Sequence, residues 1–217
     1  MKNDKIIKIS TANSRTDKKW KSEELYWSEF VKRLETPHKS PERISEYLSY
    51  PKSKQDKLKD VGGYVGGLLK NESRKANNVL SRGIVTLDLD NIKAGKTSDV
   101  LKILKALTCA YAAHSTRKHA PHAPRLRTIF PLSRPVTADE YEPIARKLAE
   151  IIGLEMCDKT TFQANRLMYE PSISSDSEYV FDYADMPFLD ADKILEMYKD
   201  WKNIQEWPGM NEQKIKL

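Results

Sequence analysis

The sequence predicts an α/β or α+β fold in which helices flank one mixed central sheet. Through the middle of the chain, segments with the composition of buried strands alternate with segments of helical periodicity. A length of 217 residues, of which 39% are hydrophobic and 31% charged, suits one large domain or two small ones with a substantial core. No apolar run approaches the length of a membrane span, and the N-terminus lacks the apolar core of a signal peptide.

Residues 1–60 are expected to form a helical subregion that packs on the rest of the chain. The stretch SEELYWSEFVKRLE begins at a plausible cap, Ser22, and its apolar residues share one helical face. A second helix is expected to start with Ser40 as its N-cap and Pro41 at its first position. KSKQDKLKD is interpreted as a solvated basic stretch. VGGYVGGLLK (61–70) is interpreted as a Gly-rich strand, a bent hairpin or a flexible turn.

Strands and helices alternate clearly from residue 84 onward. Ile84–Asp90 is expected to be a strand, and Ser98–Leu107 a helix with one buried apolar stripe. The stretches CAYAAHS and RLRTIFPL predict two further strands, and Pro131 is expected to stop the second of them.

The helix that follows these strands has a clear start and a clear end. Thr137 and Glu140 are spaced as a capping box, and Gly153 is placed to terminate the helix. RLMYEPSI and SEYVFDYA predict two short strands, and ADKILEMYKDWK predicts a final helix. Residues 204–217 are expected to be a tail or the start of a linker.

The charge and the cysteines indicate the class of partner and the compartment. The formal net charge of +6 and a pI near 9.1 favour a polyanionic partner, although the excess is modest and spread along the chain. Cys109 and Cys157 lie far apart, as expected of a reduced cytoplasmic protein. The sequence holds no G-x-x-x-x-G-K-[ST] motif, so this chain alone is not expected to hydrolyse ATP as a motor.

Two aspartates stand one residue apart at the end of the first predicted core strand, in IVTLDLDN. Because side chains alternate along a strand, Asp88 and Asp90 leave one face, opposite to Val85, Leu87 and Leu89. Carboxylates at this spacing can share one Mg²⁺ or Mn²⁺ ion or bridge two. Alternatively, the strand simply ends in a polar turn. The D-x-D motif by itself is weak, since haloacid-dehalogenase-type phosphatases and many glycosyltransferases also carry it.

A bank of cationic side chains is predicted on the neighbouring strand and loop. Arg125 and Arg127 share one strand face, and His114 and Ser115 are expected on the preceding loop. Two guanidinium groups with these neighbours make a plausible cradle for a triphosphate. The alternative interpretation is a solvated edge strand with surface arginines.

Two histidines, His119 and His122, lie in the loop between these strands. A structural zinc site is disfavoured, because no cysteine or acid nearby would complete the ligand set. We expect both side chains to lie on a mobile loop beside the phosphates.

A third acid and a third arginine follow the capped helix. Asp158 comes after an apolar patch, and Arg166 opens the next predicted strand. Such a pair is ordinary on a surface. It gains interest beside Asp88 and Asp90, because nucleotidyl transfer typically uses three acids around two metal ions.

The order of VTLDLDN, AAHSTRKHAPHAPRLRTIFPLSRPV and CDKTTFQANRLMYEPS resembles the archaeo-eukaryotic primase superfamily. The similarity is to the primase-polymerase domain at the front of phage, prophage and plasmid primase-helicase proteins, and covers roughly residues 61 to 185. The family's metal-binding acids correspond to Asp88, Asp90 and Asp158, and its later arginine to Arg166. Its Ser-x-His motif is not reproduced, since His114 precedes the serine here.

The resemblance implies a fold and an activity. The fold would be an RRM-like mixed sheet flanked by helices, with residues 61–203 as the catalytic core. The activity would be template-dependent nucleotidyl transfer of dNTPs or NTPs on single-stranded DNA, with two Mg²⁺ or Mn²⁺ ions held by the three acids. His114, Ser115, Arg125, Arg127 and Arg166 would bind the nucleotide.

The same resemblance implies partners and a setting. A helicase domain or protein of the same replication system is expected, and no membrane partner. The setting would be the cytoplasm of a bacterial host, with the gene on a phage or other mobile element. Arg74, Lys75 and Arg82 are candidates for contacts with template phosphates.

Two other classes of function stay open at this point. One is a D-x-D phosphohydrolase with Asp88 as nucleophile and Asp90 as acid, which would leave Arg125 and Arg127 without a role. The other is a non-catalytic replication-initiation module that binds DNA but has lost its metal.

Overall fold

Two eleven-residue strands lie at the centre of the computed structural model, which describes residues 1–210. The strands of this part of the chain are β1 (Ile6–Ala12), β2 (Lys21–Tyr26), β3 (His38–Lys39), β4 (Gly63–Val65), β5 (Gly67–Leu69), β6 (Val79–Leu89), β7 (Tyr111–Ser115), β8 (Leu126–Val136), β9 (Met168–Tyr169), β10 (Ser172–Ile173) and β11 (Phe181–Ala184). The helices are α1 (Trp27–Glu35), α2 (Ile44–Ser49), α3 (Lys52–Lys59), α4 (Thr97–Ala106), α5 (Ala138–Ile152) and α6 (Ala191–Glu196).

The largest sheet has five strands in the order β11-β7-β8-β6-β5. Its central run, β6-α4-β7-β8-α5, follows the strand-helix-strand-strand-helix order of split βαβ folds. The α/β class predicted from the sequence is confirmed. All pairings within this sheet are antiparallel, however, and the parallel pairing of named strands within residues 1–210 is the short one between β3 and β10.

The five-stranded sheet is covered on both faces. Val85, Leu87 and Leu89 of β6 pack with residues of α4 and α5 in one core cluster. On the other face, Ile84 and Ile129 pack in a second cluster with residues of α1 and β1. The alternation predicted for β6 is therefore confirmed, and Asp88 lies on the face that carries the N-terminal elements.

The N-terminal segment contains strands as well as helices. The helix predicted from Ser22 is wrong in its first part, because residues 21–26 form β2, which pairs antiparallel with β1. Backbone pairing with β1 outweighs the helical periodicity of this stretch, a common outcome when local preference is weak. The helix begins instead at Trp27, and its predicted apolar residues Phe30 and Leu34 are fully buried.

The second N-terminal helix also starts later than predicted. Ser40 donates its backbone N–H to the Ile173 carbonyl at 3.0 Å in the extension of the β3–β10 pairing, and Arg43 is the N-cap of α2. The stretch KSKQDKLKD, which the sequence indicates only as basic and solvated, forms the helix α3. Gln55 anchors this helix, since its side-chain amide donates to the Tyr50 carbonyl at 2.8 Å.

The glycine-rich segment carries the chain from one sheet to the other. β4 belongs to a four-stranded sheet of order β2-β1-β4-β9, whereas β5 lies at the edge of the five-stranded sheet. A side chain at Gly67 would place its Cβ 1.9 Å from the Ser81 carbonyl oxygen, so this close approach requires glycine. The strand interpretation of this segment is confirmed.

The prediction that Pro131 ends its strand is wrong, because β8 continues to Val136. Pro131 lies opposite Ile84, next to a register shift between Arg82 and Ile84. A bulge at this point lets the ladder accommodate a residue that has no N–H to donate.

Both ends of α5 follow the sequence prediction. The Glu140 N–H donates to Thr137 Oγ1 at 3.2 Å, and the Thr137 N–H donates to Glu140 Oε2 at 2.8 Å. Gly153 ends the helix with a φ of +133°, which favours glycine.

The predicted tail is ordered as far as the described residues go. Arg146 of α5 donates to the Pro208 carbonyl at 3.1 Å, and the Trp207 indole donates to the Trp201 carbonyl at 2.7 Å. Residues 211–217 of the predicted tail lie outside the described residues. Within residues 1–210, no helix combines the length and the apolar character needed to cross a membrane.

We predict that Thr137→Ala lowers the free energy of unfolding by about 1 kcal/mol, because the first turn of α5 loses its cap. Thermal unfolding followed by circular dichroism should show a midpoint lower by about 2–4 °C. Thr97→Ala is the matched control, since Thr97 opens α4 without a side-chain capping bond. Equal midpoints for the two variants would contradict the assigned role of the cap.

Candidate active site

A buried ion pair joins the two central strands at one end of the five-stranded sheet. Asp88 of β6 lies directly opposite Arg127 of β8. Arg127 donates from Nε to Asp88 Oδ1 at 2.6 Å and from Nη2 to Oδ2 at 3.0 Å. Its remaining Nη1 donates to the Tyr169 carbonyl at 2.6 Å. Both residues are more than nine-tenths buried, so the contact is a fixed bidentate pair.

The electrostatics of this pair favour both charged forms. Burial by itself would raise the pKa of Asp88, but the charge and hydrogen bonds of Arg127 outweigh it and the pKa lies below its ordinary value. Burial would likewise lower the pKa of Arg127, yet the Asp88 carboxylate raises it. Asp88 is therefore ionised at neutral pH despite its burial.

The second acid, Asp90, pairs with its own arginine but is more exposed to solvent than Asp88. Arg125 Nη1 lies 2.8 Å from Asp90 Oδ2, and each of these side chains keeps about a third of its surface exposed. Burial raises the pKa of Asp90, and the negative charges of Asp88 and Asp158 raise it further against the opposing effect of Arg125. All three carboxylates line the same cleft.

The third acid reaches the same place through backbone pairing. The Asp158 N–H donates to the Asp88 carbonyl at 2.8 Å, and Leu89 and Cys157 form an antiparallel bridge. The Asp158 carboxylate accepts from the Thr160 N–H at 2.9 Å and from the Thr160 hydroxyl at 2.7 Å. Arg166 Nη2 lies 3.7 Å from Asp158 Oδ2. Each of the three acids is thus matched by one arginine.

His114 of β7 completes the row across the sheet, opposite Arg127. Its Nδ1 lies 3.0 Å from the Ser115 carbonyl, so this nitrogen carries the proton in the neutral ring. Its Nε2 is buried and has no hydrogen-bond partner within residues 1–210. Burial, followed by the charge of Arg127, lowers the pKa of His114 to about 4. At neutral pH the ring offers the lone pair of Nε2.

These side chains line one cleft of about 230 Å³. Among the residues predicted from the sequence, the cleft brings together Asp88, Asp90, His114, Arg125, Arg127, Asp158 and Arg166. Asp90, Arg125 and Asp158 also line an adjoining hollow, so the acids stand between two concave surfaces.

Ser115 does not belong to this group, which corrects its predicted place in the nucleotide site. It lies within β7 rather than on a loop, and therefore faces away from His114. Its hydroxyl accepts a hydrogen bond from the Val180 N–H at 3.0 Å. Thr116, the next residue, lines the cleft instead.

Two other predicted contacts are structural. Arg82 is fully buried, donates to the Gly66 carbonyl at 3.1 Å and lies 3.9 Å from the centre of the Tyr141 ring, so it cannot track template phosphates. His119 is also buried, and its Nδ1 accepts from the Arg125 N–H at 3.1 Å. It holds the loop that presents Arg125.

The sequence interpretation missed cleft residues that come from the N-terminal segment. Lys52 and Lys59 of α3 line the cleft. Arg117 and Lys118, in the loop after β7, line it too and were also missed. The signal for the lysines was their spacing of seven residues, which places both on one face of a helix.

The donor set of the three acids fits a hard divalent cation, because carboxylate oxygens are the ligands that Mg²⁺ and Mn²⁺ prefer. In the described conformation the carboxylates turn toward their arginines. Within residues 1–210, no group of three or more His, Cys, Asp or Glu side chains is arranged to hold a metal ion. Metal ligation by these acids therefore requires an arrangement of the carboxylates that differs from the one described.

Comparisons with known proteins place the chain in a family. The family model described as the VapE N-terminal domain matches residues 1–210. Among solved structures, the AEP domain of the primase-polymerase of cyanophage S-2L is similar, with a TM-score of 0.48 and 10% identity over 87% of this chain and 86% of that chain. At that distance the likeness carries no argument about activity. No curated protein matches.

We predict that Arg127→Ala lowers the free energy of unfolding by about 3–5 kcal/mol, because Asp88 would be left buried without its partner. Arg125→Ala is the matched control and should cost less than about 1 kcal/mol, since its pair with Asp90 is partly exposed and screened by solvent. Urea unfolding measures both values. Similar losses of unfolding free energy in the two variants would contradict the claim that the Asp88–Arg127 pair contributes more to stability than the Asp90–Arg125 pair.

The lowered pKa of His114 also predicts a pH dependence of stability. Because the folded pKa of about 4 lies below the ordinary 6.5, the contribution is fully present above pH 6.5 and is lost as the pH falls toward 4. Between pH 7.5 and pH 5 the metal-free protein should lose about 2 kcal/mol from this group. His114→Gln should remove that part of the slope in urea unfolding, whereas His38→Gln, on an exposed residue, should keep it. Parallel slopes in all three proteins would refute the assignment.

Proposed function

The chain belongs to the VapE N-terminal domain family, and we propose that it is a primase-polymerase that joins nucleotides on a single-stranded DNA template in phage or plasmid replication. One observation carries this proposal. Three acids from two distant parts of the sequence, Asp88 with Asp90 and then Asp158, line the same cleft as three arginines, one arginine beside each acid. Nucleotidyl transfer needs such a combination, because carboxylates hold divalent ions while cations neutralise the triphosphate.

In this proposal Asp88, Asp90 and Asp158 hold two Mg²⁺ or Mn²⁺ ions. When bound, such ions activate the attacking 3′-hydroxyl and stabilise the leaving pyrophosphate. Asp88 is suited to its part because it is ionised although buried, and its strand fixes its position. The Asp158 backbone is fixed beside it by the N–H bond to the Asp88 carbonyl.

The three arginines differ in how easily they could leave their acids to bind a triphosphate. Arg125 and Arg166 each keep more than a third of their side-chain surface exposed, and each holds its acid by one contact. A guanidinium binds phosphate with the same fork that it offers a carboxylate, so these two can exchange one partner for the other. The Arg127 guanidinium donates hydrogen bonds both to Asp88 and to the Tyr169 carbonyl. We therefore assign Arg127 to positioning Asp88.

His114 is placed to respond to the nucleotide. His114 lines the cleft beside Arg127, and its buried Nε2 has no hydrogen-bond partner among residues 1–210. In the neutral ring it accepts a hydrogen bond, which suits a sugar hydroxyl of the incoming dNTP or NTP. Addition of a triphosphate's negative charge would favour protonation and convert Nε2 into a donor.

The partners follow from the same proposal. Single-stranded DNA and nucleoside triphosphates are the substrates, and a helicase domain or protein of the same replication system is the expected associate. The family description names an N-terminal domain, which is in keeping with such an arrangement. The setting proposed is the cytoplasm of a bacterial host that carries the phage or mobile element.

A phosphohydrolase that uses Asp88 as its nucleophile has less support. It would leave Arg125 and Arg127, which line the same cleft, without a role. A DNA-binding module without catalysis is separated from the polymerase by the assay that follows.

The test is template-dependent synthesis by the full chain with single-stranded DNA, dNTPs or NTPs, and Mg²⁺ or Mn²⁺. We expect products from the wild-type protein and a loss of at least about 100-fold in Asp88→Asn and Asp90→Asn, because the acids that hold the ions lose their charge. Asp99→Asn is the control, since Asp99 lies on the exposed surface of α4 and pairs there with Lys96.

Three outcomes count against the proposal. Shifted mobility on DNA without synthesis indicates a binding module. Phosphate release from a small phosphoester, with no products on DNA, indicates the hydrolase. Synthesis that survives both substitutions would show that the assigned acids are not the catalytic ones.

A further inference from the structure

A second group of cations lines the cleft in addition to the arginines that pair with the acids. Two of them, Lys52 and Lys59, lie seven residues apart on one face of α3. The other two, Arg117 and Lys118, follow β7 in the loop toward β8. These four residues are called the basic wall below.

Arg117 is the most deeply buried member of the basic wall, with only 6% of its surface exposed. Its Nη2 donates to Glu42 and to the Ser40 hydroxyl, and its guanidinium lies 4.6 Å from the centre of the Tyr47 ring. Its Nε and Nη1 are buried and have no hydrogen-bond partner in the part of the chain that the structure describes. Native proteins rarely leave buried N–H groups unpaired, so two such donors at a cleft indicate an acceptor from outside the chain.

The lysines of the wall carry positive charge in excess of the acids around them. Lys52 and Lys59 share a single carboxylate, Asp56, at 2.9 and 3.1 Å. Lys118 lies close enough to Lys52, Lys59 and Arg125 for their charges to lower its pKa, after the larger effect of burial. With Glu42 and Asp56 as the paired acids, the four cations keep a net charge of +2.

We propose that the basic wall is a phosphate-binding subsite, distinct from the arginines beside the catalytic acids. Several N–H donors from different elements converge there, as recognition of a tetrahedral phosphate with its several oxygens requires. The phosphate has two possible sources, a backbone phosphate of a single strand or the 5′-phosphates of a nucleotide that begins a new strand. The choice of nucleotide ligands rests on the proposed function, but the subsite itself rests on the wall.

The test is binding without catalysis. Fluorescence anisotropy is measured in EDTA with two probes, a 3′-labelled single-stranded DNA that ends in a 5′-hydroxyl and a base-labelled nucleoside triphosphate. The proteins are the full wild-type chain, Lys52→Ala/Lys118→Ala, and the control Lys57→Ala/Lys102→Ala. The control removes the same charge from α3 and α4 outside the cleft, since Lys57 is exposed and Lys102 keeps 78% of its side chain exposed.

The variant in the wall should bind one probe about 10-fold or more weakly, and the affected probe identifies the source of the phosphate. For the DNA probe, the slope of log K against log salt should also fall by about 1. The control should bind both probes within about two-fold of the wild type. Equal binding by both variants, or no measurable binding by the wild type, overturns the subsite.

The result is separable from that of the synthesis assay. If the wild type makes no products but its binding depends on Lys52 and Lys118, the subsite stands and the polymerase proposal fails. If products form while binding is insensitive to these lysines, the subsite fails alone. Equal thermal midpoints for the variants show that a loss of binding is not a loss of folding.

Discussion

Arg127 reaches from β8 to hold both carboxylate oxygens of Asp88 on β6, and the arrangement of the cleft depends on this contact. A carboxylate this deeply buried is costly unless a cation pairs with it. The pair fixes one end of the two longest strands, and through the Tyr169 carbonyl it also fixes β9. At this end, the four-stranded and the five-stranded sheets therefore meet at a charged pair.

The same pairing explains how three negative charges can stand close together. The repulsion that raises the pKa of Asp90 is met by Arg125, and Asp158 has Arg166 within 3.7 Å. The arrangement is balanced in charge but not rigid throughout, since two of the three arginines are partly exposed. A site of this kind can exchange partners when ions and phosphates arrive, because the total charge of its components changes little.

The N-terminal segment contributes to the cleft as well as to the core. β1 and β2 extend the second sheet, and α1 covers one face of the first. α3 then contributes Lys52 and Lys59 to the lining of the same cleft. The buried contact between Arg117 and Glu42 ties the loop after β7 to this segment, so both sides of the wall belong to one packed unit.

The sequence by itself determined the features that depend on neighbours along the chain. Alternation along β6 placed Asp88 on the face opposite Val85, Leu87 and Leu89, and the capping box of α5 formed as predicted, because backbone geometry fixes both locally. The same rule, applied to the predicted strand CAYAAHS, places His114 and Ser115 on opposite faces, so it already argues against a shared site for both.

Tertiary structure decided which residues meet. The pairing of Asp88 with Arg127, the approach of Asp158 and the formation of β2 in place of a helix all depend on the register of strands far apart in sequence. Such contacts are set by hydrogen bonding and burial over the whole chain, which no local pattern contains.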